Sequence, residues 1–253
     1  MGHRELVVSS LLAWLVAGSS VVAVDHLPSF VKICRRSDPK LSECVKDSVE
    51  NLRPYLAAGI PELRIPPCEP LVIPQVELNQ GKGPVNVRST YSNIKVWGPT
   101  NFQLKTVKLD LQHNRVRMRV FLPHLYFTSD YEMSGRVLLL PIAGRGRCHS
   151  NYTDVEAACD MSGRMNKHAD GKTYYQVTDL RFRLDIGNAS MHLSDLFNGD
   201  QMLGDAMNTF LNENWKTVAM EIRPLIEETI AATIKDMSNR IYSSTSMDVL
   251  MPE

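Results

Sequence analysis

The chain has 253 residues, 43% of them hydrophobic, with 28 basic and 28 acidic side chains and no formal net charge. That length builds one large domain or two small ones. The charge balance excludes a global field that would draw the protein to nucleic acid or an anionic surface, so any binding has to come from shape and apolar surface.

In chain order the first element is a leader. "MGHRELVVSSLLAWLVAGSSVVAV" sets His3 and Arg4 ahead of an apolar run from Leu6, and it ends in small residues with Ala23 as the last before cleavage. This is the pattern of a secretory signal peptide over residues 1–23, with one mature domain over residues 24–253. Ser9, Ser10, Gly18, Ser19 and Ser20 interrupt the run, which argues against a retained anchor. No later window holds eighteen consecutive apolar residues, so no stable membrane insertion is expected.

Secretion governs how the five cysteines are read. Cys34 and Cys44 are the natural local pair, and closing so short a loop stabilises by roughly 2–3 kcal/mol. An odd count leaves at least one thiol unpaired or bonded to another chain. With no Cys-x-x-Cys and no histidine partners, neither metal nor cofactor is expected. The triplets Asn151-Tyr-Thr and Asn188-Ala-Ser are glycosylation acceptors in a secreted chain, which places both side chains outside.

Asp38 to Leu56 reads as an amphipathic helix, with Leu41, Cys44, Val45, Ser48, Val49 and Leu52 at helical spacing. Asp38 and Pro39 supply an N-cap and first turn, and Pro54 with Gly59 marks the end. "IPELRIPPCEPLVIPQVEL" (Ile60–Leu78) then carries Pro61, Pro66, Pro67, Pro70 and Pro74 among Leu, Ile and Val. Such a segment can be neither helix interior nor central strand. From about Ser92 the period changes to two. Val107, Leu109 and Leu111 share a face; so do Val116, Met118, Val120 and Leu122, with Arg115, Arg117 and Arg119 opposite. "TDVEAACDM" turns Val155, Ala157, Cys159 and Met161 inward, and Leu180, Phe182, Leu184 and Ile186 repeat the form. Each reads as an antiparallel strand with one wet face. "GRVLLLPI" (Gly135–Ile142) reads as a strand apolar on both faces. Asn151 shares the parity of inward Val155, so a glycan there needs a bulge or a late strand start. Cys148 and Cys159 in one continuous strand lie far beyond disulfide reach. From Gln201 to Ile241 the apolar spacing is helical again, with Pro224 expected to kink or divide the helix.

A long sheet with one dry face needs a cover, and the C-terminal helix is the one large cover available. The expected fold is therefore α+β, a sheet curved around that helix. Twelve methionines, several on the inner faces, suit an irregular apolar guest. Residue pattern alone leaves open whether the space between sheet and helix is a hollow or a packed core.

"GIPELRIPPCEPLVIP" (Gly59–Pro74), the pair Cys34 and Cys44, "LFNGDQMLGDAMNTFLNENW" (Leu196–Trp215) and "MDVLMP" (Met247–Pro252) together resemble the takeout and juvenile-hormone-binding-protein family of insects. The likeness covers essentially the whole mature chain. It implies a highly curved antiparallel sheet wrapped around one long C-terminal helix, a tubular lipid-binding fold with an apolar tunnel. It implies a secreted carrier in haemolymph or a similar fluid, taking a terpenoid such as juvenile hormone or a fatty-acyl compound. The proline segment then becomes a stiff strap along the outer edge. Cys68 stands where relatives usually show an apolar residue and reads as a buried free thiol. Cys148 resembles the first member of a second disulfide found in the hormone-binding branch, but no cysteine follows Cys159, which favours the takeout-like branch.

The candidate ligand wall is Val116, Met118, Val120, Leu122, Phe182 and Leu184 from the sheet with Phe210, Leu211, Trp215 and Ile222 from the helix. A monomer is expected, with no nucleic-acid partner. An esterase is the enzymatic rival. The chain lacks Gly-x-Ser-x-Gly and His-Glu-x-x-His, and His113, His124, His149, His168 and His192 are expected at strand ends or turns, so no catalytic residue is assigned. A secreted module that docks to membranes or proteins through the row of Arg115, Arg117 and Arg119 is the other alternative.

Overall fold

Strands far beyond the usual five or six residues shape this protein. The computed structural model describes residues 27–80 and 84–253; the leader assigned to residues 1–23 lies outside them. In order come α1 (Leu41–Ala58), β1 (Leu71–Gln80), β2 (Val85–Trp97), β3 (Gln103–Asp110), β4 (Arg115–Val137), β5 (Leu140–Lys167), β6 (Thr173–Leu193), α2 (Gln201–Glu213), α3 (Trp215–Ser244) and α4 (Met247–Leu250). All pairings are antiparallel, in the order β1-β2-β4-β5-β6, and β3 takes up the first half of β4 where β2 leaves it.

Several strands reverse their alternation once. In β5 Cys148 and Ser150 face inward, and so do Val155, Ala157 and Cys159, an odd step apart. The reversal falls at Asp154, at φ 53°, which drops out of the pairing with both neighbours without shifting the register. Pro123 is skipped opposite it in β4, and Gly187 in β6. A Cβ on Gly187 would stand 2.7 Å from Asp154 Cβ, so only glycine fits that bend. In the other half, Pro74 of β1 is skipped between Ile73 and Gln75, opposite the register shift of β2 at Asn93, which has φ 52°. A bulge such as that at Asn93 bends and twists a sheet locally. The break at Asp154 resolves the parity of Asn151, which is exposed.

The curled sheet has free edges at β1, β3 and β6, and helix side chains bond to the last two. On α1, Ser42 Oγ accepts from Leu109 N at 3.3 Å and a Glu50 carboxylate oxygen accepts from Leu104 N at 3.1 Å. On α2, the amides of Asn208 and Asn212 each accept from and donate to the backbone of Leu193 and Met191, at 2.8–3.0 Å. On α3, Glu227 accepts from Leu184 N at 2.8 Å, Asn239 brackets Val177 in both senses and Lys235 donates to Thr178 O at 2.6 Å. Unpaired strand edges invite pairing with other chains, and these contacts satisfy them internally.

The sheet curls around α3 and leaves one stripe outside: Lys216, Met220, Pro224, Glu228, Ala232, Asp236 and Arg240 are exposed, four residues apart. Pro224 therefore does not divide the helix, because the carbonyl it leaves without a donor lies on the wet side. The break falls at Asn214, between α2 and α3. Similarly Pro54 lies inside α1, which runs on to Gly59 at φ 85° and begins at Leu41 rather than at Asp38; Asp38 Oδ1 caps the preceding turn through Lys40 N at 2.8 Å. The proline segment divides in two: a strap to Pro70, then the edge strand β1, bonded on one side only.

Gly135–Ile142 is not a doubly buried strand. It is the β4–β5 hairpin, with Val137 paired to Leu140, Leu138 at φ 54° and Leu139 82% exposed. Leu138 packs against the core beside it, which offsets its left-handed backbone. His124 and His149 sit within strands, not at strand ends, because the strands are longer than the alternation suggested, whereas His192 lies at the end of β6. Cys34 and Cys44 are disulfide-bonded. Cys148 and Cys159 are free and buried; Cys68 is free and only half-buried. Among the described residues no helix is long and apolar enough to cross a membrane.

Candidate functional site

The apolar interior is not one continuous core. One packed cluster gathers Val85, Tyr131, Met133, Val137, Ile142, Leu193, Leu196, Met207 and Leu211. A second, separate cluster gathers Cys159, Met161, Tyr175, Val177, Leu180 and Met247, with Leu250 and Met251 of the C-terminal turn packed on it. Between them lie inward side chains that retain accessible surface: Val120 and Leu122 of β4, Leu184 and Ile186 of β6, and Ile222, Ile226 and Ile230 of α3. Close-packed interiors leave few such voids. The seam between β6 and α3 opens into a cleft of about 330 Å³ whose lining includes Tyr152, Leu184, Ile186, Met191, Leu211, Trp215, Val218, Ile222 and Ile226.

Electrostatics agree that this region lies deep. Tyr91, Tyr152 and Tyr242 keep partial accessible surface. Yet desolvation pushes the hydroxyl of Tyr152 up to about 12, reinforced by Cys148, and moves Tyr91 and Tyr242 in the same direction. Tyr91 packs against the first cluster and Tyr242 against the second, and burial disfavours the charged form of each. Desolvation likewise raises the buried Cys159 thiol to about 11, keeping it protonated and unreactive. A few hydroxyls interrupt the apolar lining: Ser89, Ser129 and Ser150 are buried, and Ser129 Oγ has no hydrogen-bond partner.

Of the wall residues expected from the sequence, Val116, Met118 and Phe182 pack against the second cluster. Leu211 belongs to the first, with Phe210 and Ile222 against it. Leu184, Leu211, Trp215 and Ile222 meet in the cleft, and Val120 and Leu122 are half-buried between the clusters. Sequence reasoning missed Tyr152, Ile186, Met191, Val218 and Ile226. Tyr152 was hidden by the parity reversal at Asp154; Val218 and Ile226 were legible as helix positions facing inward with Ile222.

Elsewhere, a larger hollow of about 560 Å³ is lined by His192, Asp205, Asn208, Thr209, Asn212 and Glu213; these are polar residues and the hollow stands open to solvent, so it offers an apolar guest little burial. The outer arginine row is partly committed. Arg115 Nε donates to Asp160 Oδ1 at 2.6 Å, and the same carboxylate lies opposite Arg117 and Arg181 in the strand pairings.

Known proteins share this architecture. Residues 10–252 match the family described as Haemolymph juvenile hormone binding protein (JHBP). The circadian clock-controlled protein daywake of Drosophila melanogaster is 26% identical over 250 residues, covering 96% of this chain and 94% of daywake. A putative beta-carotene-binding protein of Schistocerca gregaria is 20% identical, covering 88% of each. The crystal structure of Epiphyas postvittana Takeout 1 superimposes with a TM-score of 0.76 at 24% identity, over 88% of this chain and all of that one, 100%. Its likeness shows the same fold, the curved antiparallel sheet with the long C-terminal helix described above. With the family pattern matched across almost the entire chain, this protein belongs to the haemolymph juvenile hormone binding protein family.

Proposed function

We propose that the protein is a secreted carrier that holds a small hydrophobic ligand, a juvenile-hormone-like isoprenoid or a fatty-acyl lipid, in the space between its two packed clusters. The observation that carries this reading is the apolar cleft of about 330 Å³ between β6 and α3, lined by Leu184, Ile186, Trp215, Ile222 and Ile226. The family consists of binding proteins, and one relative bears the name of a carotene binder, which supports an apolar guest.

The energetics suffice. Burying about fifteen carbons at about 0.8 kcal/mol per CH₂ yields on the order of 10 kcal/mol gross. Association costs of several kcal/mol leave roughly micromolar binding or better. Ser129 Oγ, with the hydroxyls of Tyr91 and Tyr152, would orient a ligand oxygen. The leader over residues 1–23, the disulfide between Cys34 and Cys44 and the exposed acceptors Asn151 and Asn188 fit export to an extracellular fluid. We expect a monomer without enzymatic activity.

Native mass spectrometry of protein secreted from insect cells tests the proposal, with an apolar molecule of discrete mass expected on the folded protein. An empty protein after exposure to a lipid extract, with no displacement of a fluorescent fatty acid, would refute it.

A further inference from the structure

The bolts between β6 and the C-terminal helices are unevenly spaced. Asn208 and Asn212 hold Leu193 and Met191 at one end. Glu227, Lys235 and Asn239 hold Leu184, Thr178 and Val177 at the other. Among the described residues no helix side chain hydrogen-bonds the strand between Leu184 and Met191. In that gap the strand bends at Gly187, and the N–H of Ala189 is satisfied by its neighbour Asn188 Oδ1 at 3.0 Å rather than by the helix. Across the seam, Pro224 leaves the carbonyl of Met220 without its usual amide donor. The helix thus offers the strand no hydrogen-bonding side chain at this level, and the cleft of about 330 Å³ opens there.

The chemistry of the opening is two-sided. Its inner lining is apolar, with Ile186, Trp215, Ile222 and Ile226. Its outer lining carries Lys216, Arg223 and Asp185, two cations against one acid. The Arg223–Asp185 pair is long, 3.9 Å, with Asp185 85% exposed, so Arg223 is only loosely committed. From Trp215 to Ile226 the helix rises about 16 Å at 1.5 Å per residue. A charged head held at Lys216 and Arg223 would stay hydrated while its tail continued inward, which avoids burying an ion.

We propose that this gap is a lateral portal for single-chain lipid acids, with the carboxylate recognised by Lys216 and Arg223 and the chain passing between β6 and α3 into the bore. This rests on the carrier reading above and adds to it the route and the class of head group. Charge-assisted pairing to both cations distinguishes the acid from its neutral ester.

The test uses the secreted protein freed of lipid, with cis-parinaric acid and its methyl ester as probes. Stopped-flow fluorescence gives rates and titration gives affinity. In the double variant Lys216→Gln, Arg223→Gln the acid binds about tenfold more weakly and the ester within twofold of wild type. Ala219→Trp fills the seam from the helix side and slows association and dissociation of both probes about tenfold. Ala189→Phe makes the same obstruction from the strand side, so the comparison survives if one variant fails to fold. Wild-type rates in a folded obstruction variant would overturn the portal, as would a charge variant that weakens acid and ester equally. If wild-type protein bound neither probe, the carrier reading itself would fall and the portal with it.

Discussion

Replacing Asn208 with Ala tests whether helix amides hold the sheet edge. Asn208 is 7% exposed and its amide makes two bonds to Leu193, accepting from N at 2.9 Å and donating to O at 3.0 Å. Leu193 is itself 3% exposed, so water cannot replace the lost partner. Each stranded buried backbone group costs about 1–3 kcal/mol, and Ala returns roughly 0.5 kcal/mol of helix propensity. The expected loss is therefore about 3 kcal/mol. Asn239→Ala, at a half-buried site with bonds of 2.8 and 3.2 Å to Val177, should lose less, about 1–2 kcal/mol. Urea unfolding of lipid-free protein measures both, and amide hydrogen exchange at Leu193 should accelerate in the first variant. A loss below about 0.5 kcal/mol, the scale of an ordinary surface change, with exchange at Leu193 unchanged, would refute the reasoning.

Gly187→Val would drive a side chain into Asp154, whose Cβ and O stand 2.7 and 3.1 Å from the added Cβ, and should cost about 1–3 kcal/mol; an unaltered thermal melt would contradict the bend assignment. Hydrogen bonding to Arg115 holds the Asp160 carboxyl below its usual range. A depressed carboxylate stabilises the fold most when ionised, so its contribution is full above about pH 4 and drains away as pH falls through the lower folded-state value. Asp160→Asn should flatten that acid limb in a series of unfolding curves, and an unchanged slope would show the pair to be idle. Asn188→Gln should remove one glycan's mass from protein secreted by insect cells, and no change of mass there would show the site unused.

Much of the fold was legible as periodicity. The outward arginines of β4 and the inward Val155, Ala157, Cys159 and Met161 follow directly from alternation. The failures share one cause. Alternation cannot say where a strand breaks its pleat, because the bulge at Asn93 and the unshifted break at Asp154 arise through pairing with their neighbours and not through composition. The even step from the glycosylation acceptor Asn151 to inward Val155 was the single hint. Leu138–Leu140 misled for a related reason: an apolar run looks buried until the chain reverses within it, leaving Leu139 in water. The edge bolts were invisible as such. Asn208 and Asn212 look like the polar side of an amphipathic helix, and only the unpaired N–H groups of β6 give them a purpose. The site was read in outline but not in its middle, where Tyr152 lies on the far side of a parity reversal.

The way the tube closes bears on what it can do. A sheet that sealed itself by strand pairing would fix its seam along the whole length, and opening it would break a continuous ladder. Here the seam is closed by discrete side-chain contacts, each worth about 1 kcal/mol net. Among the described residues their hydrogen bonds fall at the two ends, where the packed clusters lie, and only the long Arg223–Asp185 pair spans the middle, where the proposed portal lies. The same choice explains why the C-terminal helix tolerates a proline and a solvent-facing stripe. It is not the centre of a core but one wall of a container, and a wall has to satisfy the strand beside it, the space within and the water outside. Spacing the bolts unevenly along that wall separates stability from access, so that variants at Asn208 or Asn239 change how firmly the tube holds together while variants at Lys216, Ala219 or Arg223 change what enters it.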